Sequence, residues 1–470
     1  MARKQAARGL VIAAAGVLVI IGFPPPAISD IDAGPSGSPT IAAPPPASVT
    51  DEILRWTFYL QDVLRQAGGP PTTMSRNIAM TYLAVYDAVN SITAVGQPYR
   101  RQYTDGPRCN AMAAAQRQQC LDAAVSWAAA TVLERVFPGQ ASFVQSARAT
   151  EDGRTGTGLA VDLGRAIGGQ SANELLNVRA NDNSQSSASY PDGTEPGAWR
   201  RTPNGCPAAI GPNWGSVRPF AIGSGSAFRP PRPGGFTSYA ALLSSSLYAQ
   251  QVNEVQSLGR FNSTARTATQ TQIAFFWAND VDGTYKPPGQ HLDHTRIVSQ
   301  QRGLTLQQNA RLFGLVAIAM ADAAITAWDS KYLTGIDLWR PETAITLAAT
   351  DNNPATNPDA SWAPLSVLPN GQRFSPCFPS YTSGHATFAG AWAAVMRLFF
   401  GTDNISFTGT TDDPNAVGVT RQFSGFTAAA IEDARSRIFL GVHYQFDADF
   451  GRSSGNAVGE FVVNNVLRPL

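Results

Sequence analysis

Cysteine, charge and long apolar runs are all scarce in this sequence. Only four cysteines occur among 470 residues, and none form a CxxC pair, which argues against zinc-finger and dithiol redox motifs. Charged residues make up 15% of the chain and the formal net charge is +1, so any strong positive field must be local. After the N-terminus, no segment looks long and apolar enough to span a membrane. We therefore expect no nucleic-acid partner and no membrane-spanning domain.

The N-terminus has the pattern of an export signal. Arg3, Lys4 and Arg8 precede an apolar run over residues 9–23, and the small residues at 27–29 suit cleavage. We predict a signal peptide over residues 1–29, and hence a secreted, periplasmic or cell-envelope protein. An uncleaved membrane anchor is the alternative, although the run is shorter than the roughly 20 residues that a spanning helix needs.

An even number of cysteines in an exported chain permits two disulfides. The four residues allow three pairings. They are Cys109, Cys120, Cys206 and Cys377. We favour the local pair, Cys109–Cys120, and leave the other pairings open.

The rest of the chain predicts a linker followed by one helical domain. Residues 30–50 are rich in proline and alanine and predict a flexible or extended linker. From residue 51 to 470, apolar residues recur at helical spacing, and alternating strand patterns are hard to find. Residues 181–236 are rich in proline, glycine, serine and asparagine and predict an irregular surface excursion. We expect one all-α domain of bundled helices with long irregular loops. The first two predicted helices lie between residues 53 and 92. The others are 111–136, 158–178, 239–258, 267–277, 304–328, 387–400, 427–439 and 443–466.

Three C-terminal segments concentrate residues that bind anions or transfer protons. They are 331–341, 378–385 and 437–447. In the second, Ser383 is placed to cap a helix that begins directly after it, and free N–H groups at a helix start bind anions. Gly384 lets the backbone approach an oxyanion closely, and His385 can exchange a proton near neutral pH. Taken alone, the same pattern fits an ordinary capped helix with a surface histidine.

The third segment predicts a histidine held by a carboxylate. Arg437 lies near a helix end, and a break at Gly441 would let it converge with His443, six residues further on. Asp447 lies one turn past His443, where its carboxylate can bond one ring nitrogen and leave the other free. As a lone pattern, HxxxD is more often structural.

Together these segments supply what a tetrahedral oxyanion requires. Arginine forks bind two oxygens at once, and a lysine adds a point charge. One histidine can face the central atom while the other serves a leaving oxygen, as in phosphoryl transfer. We predict a single pocket within residues 328–447 that holds vanadate, with phosphate able to occupy the same site.

The order of these residues resembles the three signatures of the vanadium haloperoxidase and type 2 phosphatidic-acid phosphatase superfamily. The flanking residues resemble its bacterial haloperoxidase-like branch, and the likeness extends over residues 51–470. It implies the helical bundle of the haloperoxidase and acid-phosphatase type. The resembling stretches are 86–90, 214–220, 228–231, 275–278, 327–332, 339–341, 378–388 and 436–448.

The resemblance implies a role for each matching residue. His443 would ligate vanadium axially or attack phosphorus, His385 would be the acid–base group, and Asp447 would orient His443. Trp328 and Phe378 match positions that shape the halide-facing wall. The equatorial oxygens would be held by Lys331, Arg340, Ser383, Gly384 and Arg437.

The first signature departs from the family pattern. Six residues usually separate the lysine from the Arg-Pro pair, whereas eight separate Lys331 from Arg340. An insertion near residues 335–337 could bulge outward and leave Lys331 in the site. If it does not, that contact is lost, and Lys286 is the alternative lysine.

Two further histidines lie outside these signatures. His291 and His294 follow two prolines and could form a metal pair, but no third ligand is evident. We predict that they lie in a loop at the bundle surface or at the pocket mouth.

Three functions follow from this pocket. The first is a vanadate-dependent haloperoxidase that oxidises halide with hydrogen peroxide. The second is a soluble acid-phosphatase-like enzyme that hydrolyses a small phosphomonoester through a phosphohistidine, because five-coordinate vanadate resembles the transition state of phosphoryl transfer. The third is a catalytically degenerate oxyanion-binding protein.

Overall fold

The computed structural model describes residues 43–470. The predicted signal peptide at 1–29 and most of the predicted linker at 30–50 lie outside the described residues. At the end of the linker, Val49 is buried, and its carbonyl accepts a hydrogen bond from Arg55. Asp51 then caps the first helix, since its carboxylate accepts the N–H groups of Ile53 and Leu54.

Fifteen α-helices, five short 3-10 helices and one two-stranded hairpin form the regular structure of residues 43–470. This composition confirms the predicted all-α class. The hairpin, which the sequence did not predict, pairs β1 (Phe407–Thr410) antiparallel with β2 (Thr420–Phe423). The helices α1 to α15 span, in chain order, Glu52–Ala67, Pro71–Thr93, Gly106–Asn110, Ala114–Val136, Ala141–Thr155, Leu159–Arg179, Tyr239–Leu243, Ser246–Leu258, Ala268–Phe276, Lys286–Arg302, Leu306–Tyr332, Pro341–Thr346, Gly384–Phe400, Phe426–Phe439 and Gln445–Asn465.

Helix α11 is the axis of the core. It begins with a capping box between Thr305 and Gln308, and every residue from 312 to 332 is buried. Helices α2, α13 and α15 pack around it. By length and composition it is apolar enough to cross a membrane, which corrects the expectation that no such segment follows the N-terminus. Within its apolar window, however, 94% is buried inside the protein, as expected of a core helix.

Helices α13 and α15 cross with their backbones in contact. A Cβ atom on Gly455 would lie 2.0 Å from the carbonyl oxygen of Thr387, and one on Gly451 would lie 2.7 Å from that of Ser383. Glycine is therefore required at this crossing. As a result, the first turns of both helices lie side by side.

The excursion over residues 181–236 contains no α-helix, as predicted, and it is tied to the core. The carboxylate of Asp322 on α11 accepts the N–H groups of Phe220 (2.7 Å), Ala221 (2.7 Å) and Ile222 (3.0 Å). Burial raises the pKa of Asp322 to about 6 in spite of these bonds. One buried side chain thus fixes the path of an irregular segment.

Four helices were not predicted, and one predicted helix is divided. The short helices α3 and α12 are two of the four. Helix α5 was missed because its sequence is largely polar, and α10 because it begins with Lys-Pro-Pro. The stretch predicted as one helix at 239–258 divides into α7 and α8. The hydroxyl of Ser245 accepts the N–H of Tyr248 and starts α8 there.

The prediction that His291 and His294 lie in a surface loop is wrong. Both are fully buried in α10 and pack among aromatic rings of the core. His294 Nε2 lies 3.1 Å from the carbonyl oxygen of Thr410, and His291 Nε2 lies 3.2 Å from a carboxylate oxygen of Asp433. No cluster of three metal-ligating side chains occurs among residues 43–470.

Both possible disulfides are formed. Cys109 is bonded to Cys120, which confirms the favoured local pair. Cys206 is bonded to Cys377 across 171 residues, so it joins the excursion to the loop before α13.

We predict that Asp322→Ala destabilises the protein strongly. It leaves three buried N–H groups without an acceptor, at a cost of about 1–3 kcal/mol each. We expect a loss of at least about 3 kcal/mol in the free energy of unfolding, measured by denaturant titration. Asp162→Ala, at an exposed position, is the control and should change stability by less than about 0.5 kcal/mol. Equal stability of the two variants would contradict this role for Asp322.

Candidate active site

The three segments singled out in the sequence meet at one end of the bundle. Lys331 lies in the last turn of α11, Arg340 directly precedes α12, and Arg437 lies in the last turn of α14. Ser383 precedes α13, and His443 lies between α14 and α15. The side chains of all five are buried.

The two-residue insertion leaves Lys331 inside the protein. The connection to Arg340 turns outward at residues 333–335, where Leu333 and Gly335 are exposed. The ammonium group of Lys331 donates to three backbone carbonyl groups, those of Pro379 (2.8 Å), Ser380 (3.1 Å) and Thr382. These bonds occupy its three N–H donors, so Lys331 brings a fixed charge to the site and holds the loop before α13.

The two arginines are partly satisfied. Arg340 donates from Nε to the carbonyl of Phe378 (2.7 Å) and from Nη1 to that of Val442 (2.8 Å). Arg437 donates from Nη2 to the carboxylate of Asp280 (2.6 Å). Arg340 Nη2 and Arg437 Nε and Nη1 are buried without an acceptor among residues 43–470. These three atoms are available to a bound anion, since guanidinium groups bind oxyanions through such N–H donors.

A glycine turn brings His443 back beside Arg437. Helix α14 ends at Phe439, and Gly441 adopts a φ of +83°, which favours glycine. A Cβ atom there would also lie 2.4 Å from the carbonyl oxygen of Gly259. The predicted break at Gly441 is confirmed.

Asp447 holds the His443 ring. His443 Nδ1 lies 2.9 Å from Asp447 Oδ2, which also accepts from the Ser380 hydroxyl (2.5 Å) and the Tyr444 N–H (3.1 Å). A carboxylate can only accept, so Nδ1 carries the proton and Nε2 keeps its lone pair. Nε2 lies 3.2 Å from Nη1 of Arg340. The unprotonated nitrogen therefore faces the cationic side of the site.

His385 is placed by groups that the sequence reasoning did not identify. Its Nε2 lies 2.9 Å from the carbonyl oxygen of Ala278 and 3.8 Å from a carboxylate oxygen of Asp280. Burial opposes ionisation of Asp280, but Arg437 and His385 hold its pKa below the ordinary value. Lys286, the alternative lysine, donates to the Asp280 carbonyl (2.8 Å) and pairs with the neighbouring carboxylate at 282.

The start of α13 completes the site. The hydroxyl of Ser383 accepts the Ala386 N–H (3.4 Å), which confirms the predicted N-cap, and the Ser383 N–H donates to the Asp447 carbonyl (3.0 Å). Gly384 is the first helical residue. A Cβ atom on it would lie 3.1 Å from the Trp328 ring, so the indole packs directly on the helix start.

The electrostatics of the site favour an anion. Burial lowers the pKa of His443 well below its ordinary value, and four neighbours lower it further: Arg340, Lys331, Arg437 and His385. Burial and then Arg340 lower the pKa of Lys331 as well. Two carboxylates, Asp280 and Asp447, pair with these groups. The three cations outnumber them, so the charge of the site is positive. A negative charge at the centre would relieve the mutual repulsion.

Phe378 forms the wall between the site and a neighbouring cavity. Its ring centroid lies 4.8 Å from Lys331 Nζ and 4.9 Å from the Trp328 ring. Phe378 and Asp280 both line a cavity of about 470 Å³. Trp328 lies behind Phe378, fully buried, and donates from its indole to the carbonyl of Ile210.

The C-terminal third matches a known helical-bundle family. The family model described as the VCPO second helical-bundle domain matches residues 311–470. An alignment 238 positions long, which covers 41% of this chain, is 31% identical to vanadium chloroperoxidase of Curvularia inaequalis. An alignment 146 positions long, which covers 28% of this chain, is 31% identical to a vanadium-dependent bromoperoxidase of Ascophyllum nodosum. These matches span 38% and 24% of the lengths of those two relatives.

Solved structures match nearly the whole chain. A structure described as the first bacterial vanadium-dependent iodoperoxidase superposes with a TM-score of 0.72 and 25% identity, covering 90% of this chain and 98% of that one. Residues 311–470 belong to the vanadium haloperoxidase superfamily, and nearly the whole chain shares its fold. A bacterial vanadium-dependent chloroperoxidase shares the fold, with a TM-score of 0.63, 17% identity, and coverage of 88% and 96%.

The superfamily match at 311–470 contains every site residue predicted from the sequence, and the structure brings them together. It does not contain Asp280, which holds Arg437. Nor did the sequence reasoning find Ser380, although it lies inside the second signature and bonds Asp447. For Asp280 the signal was weak, because it lies two residues beyond the resembling stretch at 275–278.

The disulfide between Cys206 and Cys377 restrains the loop that lines the candidate site. Cys377 directly precedes Phe378, whose carbonyl holds Arg340, and the Cys377 carbonyl accepts the N–H of Ile210 (2.9 Å). The covalent link therefore restrains the loop whose carbonyls hold the buried cations.

We predict that the double variant C206S/C377S binds orthovanadate more weakly than the wild type. A loosened loop misplaces Arg340 and Lys331, and a tenfold loss of affinity corresponds to about 1.4 kcal/mol. Equilibrium dialysis measures the affinity, with C109S/C120S as the matched control. Each variant loses stability on the order of 2–5 kcal/mol, but we expect only the first to lose affinity. Equal losses of affinity would contradict the bracing role.

Proposed function

We propose that this protein is an exported, vanadate-dependent haloperoxidase that oxidises halide with hydrogen peroxide. Membership of the vanadium haloperoxidase superfamily supports the reaction class. The curated relatives are a chloroperoxidase and a bromoperoxidase, and one of the similar solved structures is described as an iodoperoxidase.

The observation that carries the proposal is the set of unmatched guanidinium donors. Three N–H-bearing atoms of Arg340 and Arg437 are buried without acceptors, beside the fixed charge of Lys331. Planar forks of this kind suit a tetrahedral oxyanion with several oxygens. The donor set therefore fits vanadate.

Four residues would hold the oxygens of vanadate, and His443 Nε2 would be a ligand to the metal. When bound, vanadate activates hydrogen peroxide towards attack by halide without changing its own oxidation state. The oxygens would be held by Arg340, Ser383, Gly384 and Arg437, while Lys331, whose three N–H donors already bind backbone carbonyls, would contribute its positive charge.

The protein's own groups fix the orientation and the protons. Asp447 keeps the proton of His443 on Nδ1, so that Nε2 is a ligand at neutral pH. The carbonyl of Ala278 accepts from His385 Nε2, which leaves His385 Nδ1 as the ring nitrogen able to take up a proton. His385 is thus the acid–base group for peroxide.

The proposed export is supported by covalent structure. Both pairs of cysteines form disulfides, which persist in oxidising compartments such as the periplasm or the extracellular space. The charged and apolar pattern of residues 1–29 is that of an export signal.

We predict that Arg437→Ala weakens orthovanadate binding at least tenfold. The change removes two unmatched donors, and charge-assisted bonds contribute about 1.5–3 kcal/mol each. Arg435→Ala is the matched control, since Arg435 lies on the same helix but pairs with Glu254 towards solvent. Calorimetric titration of both apoproteins with orthovanadate gives the two affinities. The site assignment fails if Arg437→Ala and the control bind equally well.

We predict that His443→Ala abolishes both bromide oxidation and orthovanadate binding, because it removes the ring nitrogen that would ligate vanadium. His294→Ala, which truncates an equally buried histidine in α10, should retain both. The assays are peroxide-dependent bromination of a dye and equilibrium dialysis. In parallel, wild-type protein without vanadate is tested on an aryl phosphate. Hydrolysis without any bromide oxidation would favour the phosphomonoesterase instead, and inactivity in both assays would favour a degenerate oxyanion-binding protein.

A further inference from the structure

A cavity of about 470 Å³ opens beside the candidate active site; we call it the side cavity. Its volume lies within the range of about 300–1,000 Å³ that is typical of small-molecule sites. It lies between the turn before α2, the residues leading into α10, and the loop before α13. Its apolar lining includes Pro70, Val281, Leu368, Phe374, Pro376 and Phe378.

The side cavity shares two residues with the candidate active site. The carbonyl of Phe378 holds Arg340, while the Phe378 ring forms part of the cavity wall. Asp280 holds Arg437 and lies 3.8 Å from Nε2 of His385, and it also lines the cavity. The side cavity therefore adjoins the candidate active site through the side chains of Asp280 and Phe378.

The charged groups of the side cavity are already paired. Asp280 bonds Arg437, and the ammonium of Lys286 lies 2.7 Å from a carboxylate oxygen of Asp282. An ionic ligand would lose hydration without finding a free counter-charge. The cavity therefore favours a neutral ligand.

Two phenylalanines make the walls suitable for a ring. Phe374 and Phe378 both line the cavity, and prolines complete its surface. Flat aromatic groups pack well against such side chains, by offset stacking or edge-to-face contact. The volume suits two or three fused rings rather than a single small solute.

We propose that the side cavity binds a neutral, electron-rich aromatic molecule, which is halogenated there rather than in bulk solution. This inference rests on the proposed function, which supplies hypohalous acid from halide and hydrogen peroxide. A ring π-electron pair attacks the halogen, so a carbon–halogen bond forms and the halogen–oxygen bond breaks. The ring carbon then loses its proton, which joins the hydroxide to give water. The aromatic molecule is oxidised by two electrons, and the halogen is reduced to the level of halide.

Binding is tested without any chemistry. Calorimetry with 2-naphthol and the protein, in the absence of peroxide, should show saturable binding at one site. Leu368→Glu adds a charge to the apolar lining and should weaken binding by about tenfold or more. Val417→Glu adds the same charge at an apolar residue that is 83% exposed, and should leave binding unchanged. An absence of saturable binding, or equal affinity in both variants, overturns the proposal.

The reaction is tested in the vanadate-loaded protein. With bromide and peroxide, Leu368→Glu should raise the KM for 2-naphthol about tenfold while leaving triiodide formation from iodide unchanged. Iodide oxidation needs no organic molecule, so it reports the proposed function separately. If iodide is oxidised but bromination of naphthol does not saturate and responds equally in both variants, in-place halogenation is wrong. If iodide is not oxidised by the wild type, the proposed function fails, and calorimetry still decides whether the cavity binds the ring.

Discussion

The structure around the candidate site depends on how three buried positive charges are held. An ammonium or guanidinium group taken out of water costs several kcal/mol unless oxygen atoms replace its hydration shell, as a rule for ions in protein interiors. Here the oxygens are largely backbone carbonyls: three for Lys331 and two for Arg340. The loop from 378 to 382 must therefore turn its carbonyl groups inward. That requirement sets the path of the chain into α13.

Each of the two carboxylates of the site binds groups from different elements of the fold. Asp447 Oδ2 accepts from a histidine ring, a serine hydroxyl and a backbone N–H, and so joins the loop before α13 to the first turn of α15. Asp280 connects Arg437 on α14 with the approach to α10. Each carboxylate neutralises part of the positive charge and also fixes a side chain that faces the centre of the site. At the centre of the site, guanidinium donors of Arg340 and Arg437 are left without acceptors.

Specific contacts also fix the irregular parts of the chain to the helices. The excursion over 181–236 is bound by the buried carboxylate of Asp322 and by the Cys206–Cys377 disulfide. Its Ile210 carbonyl accepts from the Trp328 indole and the Tyr332 hydroxyl, both on α11. A segment without regular structure thus supports the wall that separates the site from the side cavity.

By itself, the sequence determined the helical class, the N-cap at Ser383, the turn at Gly441 and the candidate site residues, because these depend on local spacing and on the chemistry of side-chain types. The tertiary structure decided which residues of distant segments come into contact. Whether the insertion after Lys331 displaced it depended on how the loop packs, and Asp280 became a partner of Arg437 only through a contact across 157 residues. The burial of His291 and His294 was misjudged because a polar helix that begins with prolines carries no apolar stripe, and only its neighbours show which face is enclosed. The secondary structure of a segment follows from the spacing of its own residues. The meeting of residues from distant segments follows from tertiary packing, which no single segment determines.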